Sequence, residues 1–164
     1  MSAEALPFHV FLFQFCMYCP MTFLLVQATE ADSEFVYQLK KVVLKEYVQQ
    51  TWQRWDEDFQ RRFHREHFDT THIKVIVADG IPAGTVDVRE GDGNIFVSGL
   101  YILLEYQNKG IGSSILRQLV DKAQIEGKRL ELEVLRVNTA AQRLYKRLGF
   151  VMEEKDDQKF FMYK

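Results

Sequence analysis

The chain has 164 residues, 47% of them hydrophobic and 27% charged, with three prolines, 21 basic and 23 acidic side chains and a formal net charge of −2. At roughly 100–200 residues per domain this allows one domain. The composition excludes a disordered tail, a collagen-like chain and a disulfide-rich mini-protein. The balanced charge argues against a dedicated nucleic-acid binder, whose phosphate contacts need a basic excess.

The charge is unevenly spread. Between Glu4 and Glu30 there is no Asp, Glu, Lys or Arg, and that stretch holds both cysteines and five of the thirteen phenylalanines. Leu6 to Val26 is long enough for a membrane span, but Pro7, Pro20, His9 and Gln14 interrupt it and no Lys/Arg cluster flanks it. No membrane association is therefore expected. A secretory signal is disfavoured by Glu4 in place of a positive charge. Cys16 and Cys19 have redox-motif spacing, yet the sequence after them is strand-like instead of opening a helix. A zinc site would need two more ligands. The expected division is a hydrophobic N-terminal extension over residues 1–20 and a domain over 21–164, with a chain starting at Met21 able to fold.

From there the elements alternate. Phe23 to Val26 suits a strand, and Thr29-Glu30-Ala31-Asp32 fits a capping box opening a helix with Phe35, Leu39, Val42, Val43 and Tyr47 on one face. Trp52 to Phe68 carries Trp52, Trp55, Phe59, Phe63 and His67 at helical spacing, predicting a second amphipathic helix, with Arg61, Arg62 and Arg65 on a solvated face. Strands are expected at His72–Ala78, Ile81–Arg89 after the Asp79-Gly80 turn, and Ile95–Leu104. A helix follows Gly110 and stops at Gly127, and Leu130, Leu132 and Val134 alternate in a strand. Ala140 to Leu148 is a short helix closed by Gly149, and a hairpin ends the chain. The order β-α-α-β-β-β-α-β-α-β-β describes a mixed α/β domain.

The most informative segment runs from Leu100 to Ser114. A strand enters a glycine turn that opens a helix, which exposes backbone N–H groups at the helix's positive end and makes an anion site. Each charge there gains on the order of 0.3–1 kcal/mol from the dipole. Gly110 and Gly112 lack the Cβ that would obstruct phosphate oxygens. The dinucleotide fingerprint fails at Ile115, and no P-loop is present. What remains is Gln107-x-x-Gly110-x-Gly112.

That turn is followed by Leu132-Glu133-Val134, then Asn138-x-x-Ala141-x-x-Leu144-Tyr145 and Leu148-Gly149-Phe150. Together these motifs closely resemble the GNAT N-acetyltransferase superfamily, specifically from about Leu100 to Phe150. The resemblance implies the acyl-CoA N-acyltransferase fold, a twisted mixed sheet flanked by helices, with the strand before the turn splayed from its neighbour and pantetheine in the gap. It implies acetyl-CoA as acetyl donor, held by backbone groups of Ile102 and Leu104 and by the turn from Gln107 through Asn108, Lys109, Gly110, Ile111, Gly112 and Ser113. Many members have proline where this chain has Leu104; proline has no N–H, so the site loses no donor by this departure, and a change at the strand's end is the expected consequence.

Asn138 matches the asparagine that contacts the cofactor arm, and it also suits a helix N-cap. Tyr145 matches the tyrosine near the thioester sulfur, against the alternative of a core aromatic. The implied reaction is direct attack of a primary amine on the thioester carbonyl. A free thiol ionises near 8.5 and a phenol near 10, so full proton transfer from Tyr145 is uphill by ~2 kcal/mol and hydrogen-bond donation is expected instead. A lysine-like acceptor must lose its proton at a cost of about 4.6 kcal/mol at pH 7, a peptide α-amine only ~1. Glu133 is the first candidate base, with Glu105, Asp87 and Glu90 in reserve.

On the acceptor side, Trp52, Trp55 and Phe59 are the candidate substrate-binding residues, with Asp56, Glu57, Asp58 and Phe63 nearby. The bland alternative is a helix packed on the sheet with a solvated acidic end. His64, His67 and His72 lack a fixed carboxylate partner, so no metal is expected. The expected protein is a cytoplasmic, acetyl-CoA-dependent N-acetyltransferase without nucleic-acid partners and with homodimerisation open. A catalytically silent acyl-CoA-binding module on the same fold is the rival reading.

Overall fold

The β-branched and aromatic runs after Phe23 pair into one seven-stranded sheet of order β1-β2-β3-β4-β5-β7-β6. The computed structural model describes residues 21–164, and the readings of the 1–20 extension and of Cys16 and Cys19 lie outside the described residues. The strands are β1 (Phe23–Gln27), β2 (Ile73–Ala78), β3 (Ile81–Glu90), β4 (Asn94–Ile102), β5 (Arg129–Leu135), β6 (Val151–Glu154) and β7 (Lys159–Tyr163). The helices are α1 (Ser33–Trp52), α2 (Glu57–His67), α3 (Ile111–Glu126) and α4 (Thr139–Arg147). The predicted order of strands and helices is reproduced.

Neighbouring strands are antiparallel except β4 and β5, which run parallel because α3 crosses between them. The C-terminal hairpin inserts β7 beside β5 and leaves β6 at the edge. Adjacent residues of β2 face opposite sides of the sheet. Ile76 joins a large core with Ile115, Leu116, Leu130, Leu132 and Met162, under α3. Val75 joins a smaller one with Ala28 and Ile73, against which Phe35 and Phe68 pack. So α3 covers one face, and α1 with the end of α2 covers the other.

Three details correct the sequence reading. The aromatic stretch from Trp52 is not one helix. Gln53 adopts a left-handed conformation (φ 58°) that ends α1 at Trp52, and Asp56 then caps α2 by accepting the Phe59 amide at 2.9 Å. Trp55 therefore sits in the connection. Strand β4 stops at Ile102 rather than Leu104, because a 3₁₀ turn over Leu104–Tyr106 begins with the Tyr106 amide donating to the Leu103 carbonyl at 2.8 Å. And Arg61 is not merely solvated: it pairs with Glu34 at 3.1 Å and lies 4.4 Å over the Tyr37 ring, tying α2 to α1. The Thr29 motif does close, its amide and hydroxyl both donating to the Asp32 carboxylate at 2.8 Å, but on a 3₁₀ turn over Glu30–Asp32 that precedes α1 rather than on α1 itself.

Candidate active site

Strands β4 and β5 pair from Asn94↔Arg129 to Val97↔Leu132, and no further. Beyond that point both strands continue, to Ile102 and Leu135, without pairing to each other. The Leu103 amide donates to the Ala83 carbonyl on the β3 side at 2.9 Å. Strand alternation then turns the backbone groups of Ile102 and Leu100 toward the gap. The gap is part of a cleft of about 1060 Å³ reached by β4, β5, α4, α1 and α2.

The turn below the gap is built from two left-handed residues, Asn108 (φ 60°) and Gly110 (φ 88°). Such a pair turns successive amides to one side, the geometry of an anion nest. Helix α3 opens directly on it. Its first intrahelical bond runs from the Ser114 amide to the Gly110 carbonyl at 2.9 Å, so the amides of Ile111, Gly112 and Ser113 precede the hydrogen-bonded ladder. Among the described residues no side chain caps this end, and its first turn carries no acidic residue. A negative ligand would complete it. The Gln107 side chain has a local task, donating to the Ile102 carbonyl at 2.8 Å and so fixing the turn to the strand. Leu104 is 64% exposed, at the start of the 3₁₀ turn.

Gly112 departs from the simple expectation that its missing Cβ leaves room for phosphate. A Cβ there would point at Ile102, Leu100 and Leu144 side chains, 3.4–3.8 Å away, which is ordinary contact. The packing of α3 against β4 and α4 therefore leaves room for a methyl group at this position.

Asn138, Ala141 and Tyr145 lie three and four residues apart on one face of α4 and all line the cleft. The Asn138 side chain caps the helix, accepting from the Ala141 amide at 3.0 Å, so one of its two readings is realised. Gln142 braces the same loop by donating to the Leu135 and Arg136 carbonyls at 3.1 and 2.9 Å. Tyr145 packs against Phe150, ring centroids 5.8 Å apart. Burial, and secondarily the nearby Tyr101, pushes its hydroxyl up to about 12.

Glu133 also lines the cleft, but it is already occupied. Lys155 donates to one carboxylate oxygen and Lys159 to the other at 2.9 Å. Burial raises its pKa, and the two lysines outweigh burial, holding the carboxyl below its ordinary range. It is an ionised group with two cations against it, which lowers its appetite for a proton. Among the reserve bases, Asp87 pairs across the sheet with Gly99 and lies 3.7 Å from the Arg89 Nε. Glu90 is bound to Lys122, and Glu105 lies exposed in the 3₁₀ turn.

The other wall of the cleft comes from the second half of α1 and from α2. Val43, Leu44, Val48 and Trp52 face it from α1, and Phe59 and Phe63 from α2. Trp55 does not reach it; its Nε1 donates to Glu57 at 2.9 Å. Glu57 also accepts from Tyr37 at 2.7 Å and Lys41 at 2.8 Å, and the bonds from Lys41, Trp55 and Tyr37 bring its carboxyl down to about 2. This hub fixes the start of α2 on α1. The histidines are dispersed: His64 is buried against Ser33, His67 stacks on Phe63, and His72 faces Asp69. Among the described residues no group of three or more His, Cys, Asp or Glu is placed to hold a metal.

Tyr101 is the cleft residue that motif reading passes over. Burial, with Asp87 second, pushes it up to about 12, and the Lys40 ammonium lies 5.8 Å from its ring centroid. Its signal in the sequence is Gly99, two residues earlier in the same strand. A Cβ at Gly99 would come within 2.6 Å of the Tyr101 ring, so the glycine is what lets the ring fold back over β4.

The Acetyltransferase (GNAT) family pattern matches residues 36–150. An uncharacterized N-acetyltransferase, YobR of Bacillus subtilis, is 34% identical over 82 residues, covering 49% of this chain and 32% of that one. The thialysine N-epsilon-acetyltransferase of Bos taurus is 40% identical over 57 residues, 34% of each chain. The matched part thus spans about a third of each curated relative. In structure, the PaiA N-acetyltransferase of Thermoplasma acidophilum in complex with coenzyme A superposes with a TM-score of 0.69 at 19% identity, over 88% of this chain and 99% of that one. Arabidopsis thaliana Naa50, in complex with a bisubstrate analogue, CoA-Ac-MVNAL, superposes with a TM-score of 0.61 at 17% identity, over 87% and 97%. These structural likenesses are of fold, and with the family match across most of the domain they lead to one conclusion: the chain belongs to the GNAT acetyltransferase family.

Proposed function

We propose that the protein transfers an acetyl group from acetyl-CoA to a primary amine in a ternary complex. The observation that carries this reading is the unpaired stretch of β4 and β5 above the uncapped α3 turn, with Tyr145 facing the same cleft. A gap edged by backbone donors and acceptors suits the amide-bearing pantetheine arm, and an open helix N-terminus suits a pyrophosphate. Ile102 and Leu100 would meet the arm, and the amides of Ile111, Gly112 and Ser113 the phosphates. The acetyl-CoA thioester supplies an activated acyl carbon. The amine nitrogen bonds to that carbon, the C–S bond breaks, and the electron pair leaves with the sulfur.

Tyr145 would donate a hydrogen bond to the sulfur as charge develops there. At about 12, against ~8.5 for a thiol, its full proton transfer would be uphill by about 5 kcal/mol, more than for an unperturbed phenol. The proton that the amine sheds has no ready acceptor in Glu133 while Lys155 and Lys159 hold both its oxygens. Removal through water, or arrival of the amine already neutral, fits the site better. The test is release of free CoA from acetyl-CoA across a panel of amines, with the Tyr145→Phe variant alongside. Turnover that falls sharply in Y145F supports the reading. If acetyl-CoA raises the melting temperature but no amine releases CoA, the chain is a silent acyl-CoA-binding module.

A further inference from the structure

Three large aromatic side chains on the acceptor side of the cleft are half exposed: Trp52 at 48%, Phe59 at 46% and Phe63 at 47%. They do not pack into either core cluster. Phe59 and Phe63 stack on each other with centroids 6.0 Å apart, and His67 continues the stack at 4.1 Å from Phe63. The wall is held in place from behind. The Glu57 hub and the Arg61–Glu34 pair anchor α2 to α1, so this apolar face is fixed open rather than loosely collapsed.

The charges of the cleft complete the argument. Among the described residues that line it, the carboxylates are Asp56 and Glu133. Asp56 is bound to Arg54 at 2.6 Å and to the Phe59 amide, and Glu133 to its two lysines. Neither offers an unpaired anion to a second ammonium group. Arg54 and Lys159 line the cleft as the other halves of those pairs, so the lining charges already balance and a second ammonium group of an acceptor would enter without a carboxylate left to pair with it.

We infer that the acceptor is a monoamine carrying an aromatic or large apolar group beside its amino group, and that the Trp52–Phe59–Phe63 wall selects it. The inference rests on the acetyltransferase reading and narrows it. The amine would point toward Tyr145 and the β4–β5 gap, with the ring lying against the wall, where aromatic contacts and water exclusion favour it. The same chemistry could be presented by a free arylalkylamine or by a peptide whose first residue is phenylalanine.

The experiment compares phenethylamine, a phenylalanine-led tetrapeptide, ethanolamine and spermidine as acceptors for the full chain, following CoA release. The better of the two ring-bearing acceptors should exceed ethanolamine and spermidine in kcat/KM by about tenfold or more, the scale at which apolar pockets discriminate. Which of the two is better identifies the source. In Phe63→Ser that preference should fall toward one, while acetyl-CoA raises the melting temperature as much as in the parent. Phe63 is half exposed, so the substitution leaves both cores intact. Equal rates for all four amines, a preference for spermidine, or a preference that survives Phe63→Ser would overturn the inference. Should no amine release CoA, the acetyltransferase reading fails, and the wall is judged by binding. A further rise in melting temperature with phenethylamine, but not ethanolamine, in the presence of CoA upholds it, and its absence overturns it.

Discussion

The two halves of the cleft are made from different materials. The half formed by β4 and β5 carries the unpaired backbone edge that runs through Leu100 and on, beyond the cleft lining, to Ile102 and the amides at the start of α3. The half formed by α1 and α2 presents side chains: aliphatic residues of α1 and the rings of Trp52, Phe59 and Phe63. Backbone geometry follows from topology and a few glycines, so the first half can be shared by proteins of very different sequence. A side-chain wall is rewritten by single substitutions, which is why the proposed acceptor preference is assigned to the second half.

The largest effect should come from the residue where the halves meet. Tyr145→Phe removes one hydrogen-bond donor and is expected to lower turnover by about 10²–10³, the usual cost of losing one donor to developing negative charge. Acetyl-CoA binding, read by thermal shift, should persist. Loss of both together would make Tyr145 a packing residue against Phe150 instead.

On the backbone half, Gly110→Val forces a β-branched residue into a left-handed conformation at a cost of roughly 1–2 kcal/mol or more, and acetyl-CoA affinity should fall about tenfold. Titration by calorimetry measures it. Affinity unchanged in a folded variant would remove the turn from the donor site.

On the side-chain half, Glu57→Ala frees Tyr37, Lys41 and Trp55 together. The expected result is a rise in acceptor KM of roughly two- to fivefold, the scale of exposed charge-assisted contacts, with acetyl-CoA KM unmoved. The same hub has a pH signature. Hydrogen bonds from Lys41, Trp55 and Tyr37 depress the Glu57 carboxyl from an ordinary 4.5 to about 2, so the anchor is fully present above about 4.5 and is lost as pH falls through about 2. Tryptophan emission should therefore change between those values in the parent and not in Glu57→Ala.

The smallest effect is expected at Gly112→Ala. The added methyl group would make ordinary contacts with Ile102, Leu100 and Leu144 and point away from the amides that face the turn. Melting temperature and acetyl-CoA affinity should both stay close to the parent values. A large loss of affinity with the fold intact would restore the phosphate-clearance role to this glycine.

Much of this division was legible before the fold. Local signals announce themselves: Gly110 and Gly127 bracket α3, Asn138 caps α4, and Thr29 with Asp32 closes the turn before α1. The boundary between α1 and α2 was not legible, because Gln53 carries no sign of a left-handed cap and the aromatic spacing runs smoothly across it. Tyr101 was equally hidden. Its place in the cleft depends on a ring folded over Gly99, and a glycine inside a strand announces a close approach without naming what approaches.

By itself the sequence determined the order of the elements, the family and the turn that opens α3, since each of these is written in near-neighbour spacing and in residues with few conformational options. Only the tertiary structure decided how the charges and rings share the cleft. It brings Lys155 and Lys159, more than twenty residues downstream, onto both oxygens of Glu133, and it leaves Phe59 and Phe63 facing the cleft while Trp55 turns to Glu57. Those outcomes depend on contacts between distant segments, and no local pattern encodes which partner a carboxylate or a ring will meet.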